Sequence, residues 1–204
     1  NNAGILRDKT FAKMDLVDFD LVMNVHLSGS VNCTKAVWEI MREQNYGRIV
    51  MTTSSSGLYG NFGQSNYGAA KMAVIGLMNT LVLEGQKYNI HVNALAPAAA
   101  TRMTEDLGID EAALSLMKPE AVTAGLLTLC HDKAPSRFIL CAGAGGYAST
   151  QIYETDGIFL PPEEQTPEAI MARWSEVADP KGQAVLHSGA EQSEKFLKKA
   201  MMQK

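Results

Sequence analysis

The chain has 204 residues, 46% of them hydrophobic and 20% charged, with a formal net charge of −4. That is enough for one ordinary core in a globular protein. The mild acidity and the lack of a basic run exclude nucleic acid as an expected partner, and no apolar stretch approaches the roughly 20 residues of a membrane span, so no membrane is expected either. The three cysteines, Cys33, Cys130 and Cys141, form no paired motif, which points to reduced thiols and a cytoplasmic setting. His26, His91, His131 and His187 lack zinc-ligand spacing, so no metal is expected.

Asp15 is a candidate cap for a helix reaching about Gln44, with apolar residues such as Leu16, Phe19, Val22, Met23, Leu27 and Val31 near helical spacing. Asn24 and Gly29 inside it favour a kink or irregular turn. Arg48 to Thr53 reads as a short buried strand, broken by Ser54-Ser55-Ser56-Gly57. A second helix is expected from about Asn66 to Tyr88, then a strand over Ile90–Leu95 stopped by Pro97. Pro119 to His131 suits a helix with proline near its start, and Arg137 to Cys141 a third strand closed by Gly143, Gly145 and Gly146. After about Thr150 the chain becomes more polar. Thr166-Pro167-Glu168 has the chemistry of a helix start, and Ser193 to Met202 that of a final amphipathic helix.

The alternation of helix and strand predicts an α/β fold with a parallel sheet and right-handed crossovers. In such sheets ligands sit beyond the carboxyl ends of the strands. Ser54 and Ala96-Pro97 follow two strand ends, and Asn1 to Gly4 reads as the exit of a further strand. Only three strands are legible, no glycine-rich phosphate turn follows an opening strand, and the chain starts without methionine. The expectation is therefore the C-terminal part of a doubly wound, three-layer, Rossmann-like domain over residues 1–150, with a mostly helical extension over 151–204.

One spacing carries chemistry. Tyr67 and Lys71 are one helical turn apart and share a face, and Ser54 precedes Tyr67 by thirteen residues. A phenol, with an ordinary pKa of about 10, is a poor base at neutral pH, and a nearby cation favours the phenolate. A hydroxyl delivered by the strand end can hold a substrate oxygen while the tyrosine moves its proton.

These residues resemble the short-chain dehydrogenase/reductase family, from Asn1 to about Gly146. Asn2-Ala3-Gly4 looks like the family's NAG motif, which lies beside the adenosine part of the cofactor. Asn24 resembles the tetrad asparagine that holds a proton-leading water, and Ser54, Tyr67 and Lys71 match the other three catalytic positions. Ala96-Pro97 is similar to the motif that places the nicotinamide, which brings Pro97, Ala98, Ala100 and Thr101 to the cofactor; Ala98 stands where the family usually has glycine. A narrower resemblance, over Gly57–Gln64 and Thr101–Thr104, is to the (3R)-hydroxyacyl-CoA dehydrogenase unit of the type 2 peroxisomal multifunctional enzymes and their single-domain bacterial relatives.

The resemblance implies NAD or NADP as cofactor, a small-molecule substrate, most simply an acyl thioester, and a homodimer or homotetramer. It implies that Tyr67 and Lys71 also contact the cofactor. Met103, Leu107, Leu114, Leu116 and Met117 are candidates for an acyl pocket or for ordinary packing. The alternatives are a 3-oxoacyl-carrier-protein reductase or another short-chain alcohol dehydrogenase and, from a different class, a non-catalytic fragment that serves as an oligomerisation module. The 204 residues alone are expected to be inactive.

Overall fold

The computed structural model describes residues 1–100 and 110–202. They form two compact units, Asn1–Thr150 and Gln151–Lys204. In the first unit helix α1 spans Leu16–Met23 and α2 Gly29–Glu43, joined by a π-helical turn over Asn24–Ser28. Strand β1 (Gly47–Thr52) leads to the short α3 (Ser55–Tyr59) and the long α4 (Ser65–Gly85). Then come β2 (Ile90–Ala98), α5 (Glu111–Leu116), α6 (Glu120–Cys130) and the hairpin β3 (Ile139–Gly143) and β4 (Gly146–Thr150).

The sheet order is β1-β2-β3-β4. The first two pairings are parallel and the last antiparallel. Side chains alternate between two cores because successive strand residues face opposite sides. Ile49, Met51, Val92 and Ala94 pack with Trp38, Val74, Ile75 and Met78 from α2 and α4. Val50, Leu95, Leu140 and Ala142 pack with Leu129 from α6. The result is a three-layer, Rossmann-like α/β unit. Among the described residues, no helix is long and apolar enough to cross a membrane.

Two expectations change. Pro97 does not end β2, which runs on to Ala98 with Pro97 opposite Ala142. Strand β1 stops opposite Leu95, so the last residues of β2 have a neighbour on one side only, where a proline costs no ladder bond. The glycines after β3 do not merely close it. Ala144 and Gly145 take positive φ values of 48° and 79°, the signs of a type I′ hairpin turn, and a fourth strand returns.

The second unit contains α7 (Pro167–Ala172), α8 (Trp174–Val177) and α9 (Gly189–Met202). Thr166 caps α7, its side chain accepting from the Ala169 amide at 3.2 Å. Lys195 pairs with Glu154, and Lys199 with Asp156 at 2.6 Å. No described side chain in this unit is buried.

Candidate active site

The first unit gathers its polar groups at the carboxyl edge of β1 and β2. Ser54 is extended, with φ −162° and ψ 154°, and caps α3. Its Oγ accepts from the Ser56 amide at 3.2 Å, so the hydroxyl proton stays available to a second oxygen. Helix α3 then lies against α4 with almost no side chain between them. A Cβ on Gly57 would stand 2.7 Å from the Lys71 Cβ, and one on Gly68 3.1 Å from the Ser56 carbonyl oxygen. These two glycines let the serine strand end and the tyrosine helix approach.

Lys71 is held twice by the end of β1. Its ammonium donates to the Thr52 carbonyl at 2.7 Å, and the buried Thr53 hydroxyl donates to the Lys71 carbonyl at 2.7 Å. Burial lowers its pKa to about 8, since the charged form has lost its water. The ammonium lies 5.5 Å from the centroid of the Tyr67 ring, within cation–π range.

Tyr67 differs from the expectation of a phenol lowered by Lys71. Burial raises its pKa, the Ser54 side chain lowers it by hydrogen bonding, and Asp8 raises it further. The cation lies by the ring and donates its hydrogen bond to Thr52, so desolvation dominates. At neutral pH phenol and ammonium are both protonated.

Asn2, Ala3 and Gly4 are exposed beside the end of β1. The Asn1 amino group donates to the Val50 carbonyl at 3.0 Å, the Thr52 amide to the Asn1 carbonyl at 3.1 Å, and the Thr52 hydroxyl to Asn2 Oδ1 at 3.1 Å. The following residues clamp the start of α4: Asn66 donates to the Arg7 carbonyl at 3.0 Å and Gln64 to Asp8 at 2.7 Å. Pro97 and Ala100 are partly buried at and beyond the end of β2, and Ala98 is exposed. Thr101, Met103 and Leu107 lie outside the described residues. Leu114 and Met117 are partly buried, and Leu116 is exposed.

The structure does not bring Asn24 to this group. The residue is exposed, and its Oδ1 accepts a 3.4 Å hydrogen bond from Ser28. The side chain from this turn that reaches the site is His26, buried and edge-on to Tyr67 with ring centroids 5.1 Å apart. Gly4 makes room for it, because a Cβ there would lie 2.6 Å from the imidazole Cε1. A signal was present in the sequence: Val22, His26, Ser30, Thr34 and Trp38 recur every fourth residue, and all five are buried.

A helix–sheet–helix unit with polar groups at the carboxyl edge of its parallel strands is the α/β architecture whose ligands bind at that edge. The chain belongs to the short chain dehydrogenase family, which it matches over residues 1–112. It is 47% identical over 185 residues to a short-chain type dehydrogenase/reductase of Mycobacterium tuberculosis, covering 89% of this chain and 63% of that protein. It is 46% identical over 182 residues to the peroxisomal multifunctional enzyme type 2 of Mus musculus, covering 88% of this chain and 25% of that one. The solved full-length peroxisomal multifunctional enzyme type 2 from Drosophila melanogaster gives a TM-score of 0.87 at 39% identity, over 97% of this chain and 36% of that one. The chain thus spans less than two thirds of the length of each.

Proposed function

We propose that the native polypeptide carrying this chain is an NAD(P)-dependent oxidoreductase that interconverts a secondary alcohol and a ketone, with a 3-hydroxyacyl-CoA and its 3-oxoacyl-CoA as the substrate pair. The observation that carries this reading is the gathering of Ser54, Tyr67 and a buried Lys71 at one strand edge. The donor set suits a nicotinamide dinucleotide: a buried ammonium, a phenol, and a β2 exit of small residues, Ala98-Ala99-Ala100. Tyr67, Lys71, Asn2, Ala3, Gly4, Pro97, Ala98 and Ala100 would hold it. When bound, that cofactor supplies hydride exchange at the carbon bearing the substrate oxygen.

The chain's own residues manage the oxygen and its proton. Ser54 donates its hydroxyl proton to the substrate oxygen and fixes its position. Tyr67 takes the alcohol proton in oxidation and returns it in reduction. The Lys71 ammonium, 5.5 Å from the Tyr67 ring centroid, keeps a positive charge beside the ring as the Tyr67 proton leaves. The acyl thioester is supported by the likeness of Gly57–Gln64 to the (3R)-hydroxyacyl-CoA dehydrogenase unit.

The test is a turnover panel on the native polypeptide with 3-oxoacyl-CoA and 3-oxoacyl-carrier-protein substrates and both nicotinamides. Turnover of the CoA thioester is expected, with kcat falling by about 10²- to 10⁴-fold in Tyr67→Phe. Turnover confined to the carrier-protein substrate would overturn the CoA assignment. Tyr67→Phe turning over like the parent would overturn the site, and no turnover of any substrate would favour a purely structural module.

A further inference from the structure

The segment over residues 5–9 wraps the start of α4 and is tied on every side to the surroundings of Tyr67. The Ile5 backbone meets the imidazole of His26, which stands edge-on to the Tyr67 ring. The Arg7 carbonyl accepts from Asn66 Nδ2 at 3.0 Å, and Asn66 Oδ1 accepts from the Tyr67 amide at 2.7 Å. The Lys9 amide donates to the Gly63 carbonyl at 2.9 Å. Between these ties Asp8 Oδ2 accepts from Gln64 Nε2 at 2.7 Å, and Gln64 Oε1 accepts in turn from Asn61 Nδ2 at 3.0 Å. Gln64 is the residue before α4 and Tyr67 lies in its first turn. The amide that grips Asp8 is therefore about one turn, roughly 5 Å of axial rise, from the residue that carries the phenol.

The charges around this point divide cleanly. Arg7 and Lys9 both face Asp18 of α1, at 3.7 and 3.4 Å. Asp8 meets an amide and, among the described residues, no cation. The Tyr67 ring faces His26 on the π-helical turn and Lys71 on α4. Burial holds His26 below its ordinary pKa, so it is neutral at neutral pH. From α3, Tyr59 shares its hydroxyl with Thr150. Two fixed charges thus act on the phenol. Lys71 brings a positive one, and Asp8 brings a negative one that works in the same direction as burial, keeping the Tyr67 proton on.

We propose that Asp8 is a positioning residue for the proton transfer: its carboxylate, held by Gln64 at the start of α4, counters Lys71 and keeps Tyr67 in the role of proton donor. The role rests on the proton-transfer reading above. It extends ketone reduction, which needs the phenol, to higher pH, and it moves the onset of alcohol oxidation, which needs the phenolate, the same way.

The test uses Asp8→Asn, Gln64→Leu and Tyr67→Phe in the native polypeptide, assayed against pH in both directions with the 3-oxoacyl-CoA and 3-hydroxyacyl-CoA pair. Tyrosine ¹³Cζ spectra of the unliganded protein are titrated in parallel, with Tyr67→Phe identifying the Tyr67 resonance. Asp8→Asn keeps an oxygen for Gln64 and removes only the charge; Gln64→Leu keeps the charge and releases it. In Asp8→Asn the alkaline limb of reduction and the acid limb of oxidation should both move to lower pH. A few tenths of a unit to about one unit is expected for a single charge near the protein surface. The Tyr67 resonance should titrate lower by the same amount, and added salt should shrink the difference from the parent. Gln64→Leu should shift both limbs the same way by less, and it carries the test where Asp8→Asn does not fold. Unmoved limbs and an unmoved Tyr67 titration would overturn the proposal. So would a loss of rate that is equal at every pH and follows the melting temperature. Full activity in Tyr67→Phe would instead overturn the underlying reading, whatever Asp8 does.

Discussion

Lys71 and Lys195 show how the two units use the same side chain differently. Lys71 is buried with its ammonium on a backbone carbonyl, while Lys195 lies in a unit with no buried side chain among its described residues and pairs with Glu154. Burial lowers the Lys71 pKa to about 8. In the other unit it is the carboxylate that shifts: hydrogen bonds from Lys195 and Gln192 hold Glu154 below its ordinary pKa. The first arrangement sacrifices stability to make a reactive group; the second gains a little stability without chemistry. Perturbed groups of the first kind mark functional sites more often than those of the second.

Replacing Lys71 is the strongest way to break that contrast. Lys71→Met should cut turnover of the native polypeptide by orders of magnitude and yet leave the fold more stable at neutral pH, by on the order of 2 kcal/mol, because an expensive buried charge is gone. The pH dependence follows from the folded pKa of about 8 against the ordinary 10.5. Below about 8 the side chain is charged in both states, and the burial penalty is fully present. Between the two values the unfolded chain holds a proton that the folded chain has released, so stability rises with pH. Above 10.5 the penalty has gone. The advantage of Lys71→Met in denaturant unfolding should therefore shrink as pH climbs through that window. A gap that stays constant, or a variant that is less stable at neutral pH, would contradict the assignment of a buried, penalised ammonium.

The parts of the molecule that announce themselves in sequence are those with one dominant signal. Strand β1 holds a continuous apolar run, Ile49-Val50-Met51, β2 alternates apolar and polar residues from Ile90 to Asn93, and Tyr67 and Lys71 share a helical face by spacing alone. Helix α3 was hidden because Ser54-Ser55-Ser56-Gly57 reads as a breaker; Ser54 becomes a cap only when α4 offers the following turn a surface. Strand β4, Gly146-Tyr147-Ala148-Ser149-Thr150, is short and largely exposed, with no apolar run to betray it. Asn24 and His26 show the subtlest failure. Both lie in the expected kink, but the π-helical turn holds the inward face at every fourth residue, and that register selects the histidine. Local composition marked the turn, while the tertiary contact with Tyr67 determined which of its side chains faces inward.

The approach of α3 to α4 supplies a comparison within the first unit, with a smaller effect. Gly57→Ala would place its Cβ 2.7 Å from the Lys71 Cβ and 2.9 Å from the Lys71 carbonyl carbon, whereas a Cβ on Gly76 meets nothing within 4 Å. Both glycines are helical, so the propensity gain is shared and steric fit separates them. Gly57→Ala should destabilise by about 1–3 kcal/mol and also slow turnover, because Lys71 must move. Gly76→Ala should be neutral or stabilising by roughly 0.4–1 kcal/mol. Equal melting temperatures for the two variants would show that α3 and α4 are not in close contact in solution.

The smallest effect is expected at Glu154. Its partner Lys195 also donates to the Thr155 carbonyl at 2.9 Å, so Glu154→Gln removes a charge pair without stranding the ammonium. Partly exposed pairs of this kind gain little in water, and salt screens what they gain. The variant should melt slightly below the parent at low ionic strength and alongside it at high ionic strength, with turnover unchanged. A large, salt-independent drop would mean that Glu154 is shielded from water in the native polypeptide. The second unit would then resemble the first in how it holds its charges, and the contrast between Lys71 and Lys195 would reduce to one of partner chemistry alone.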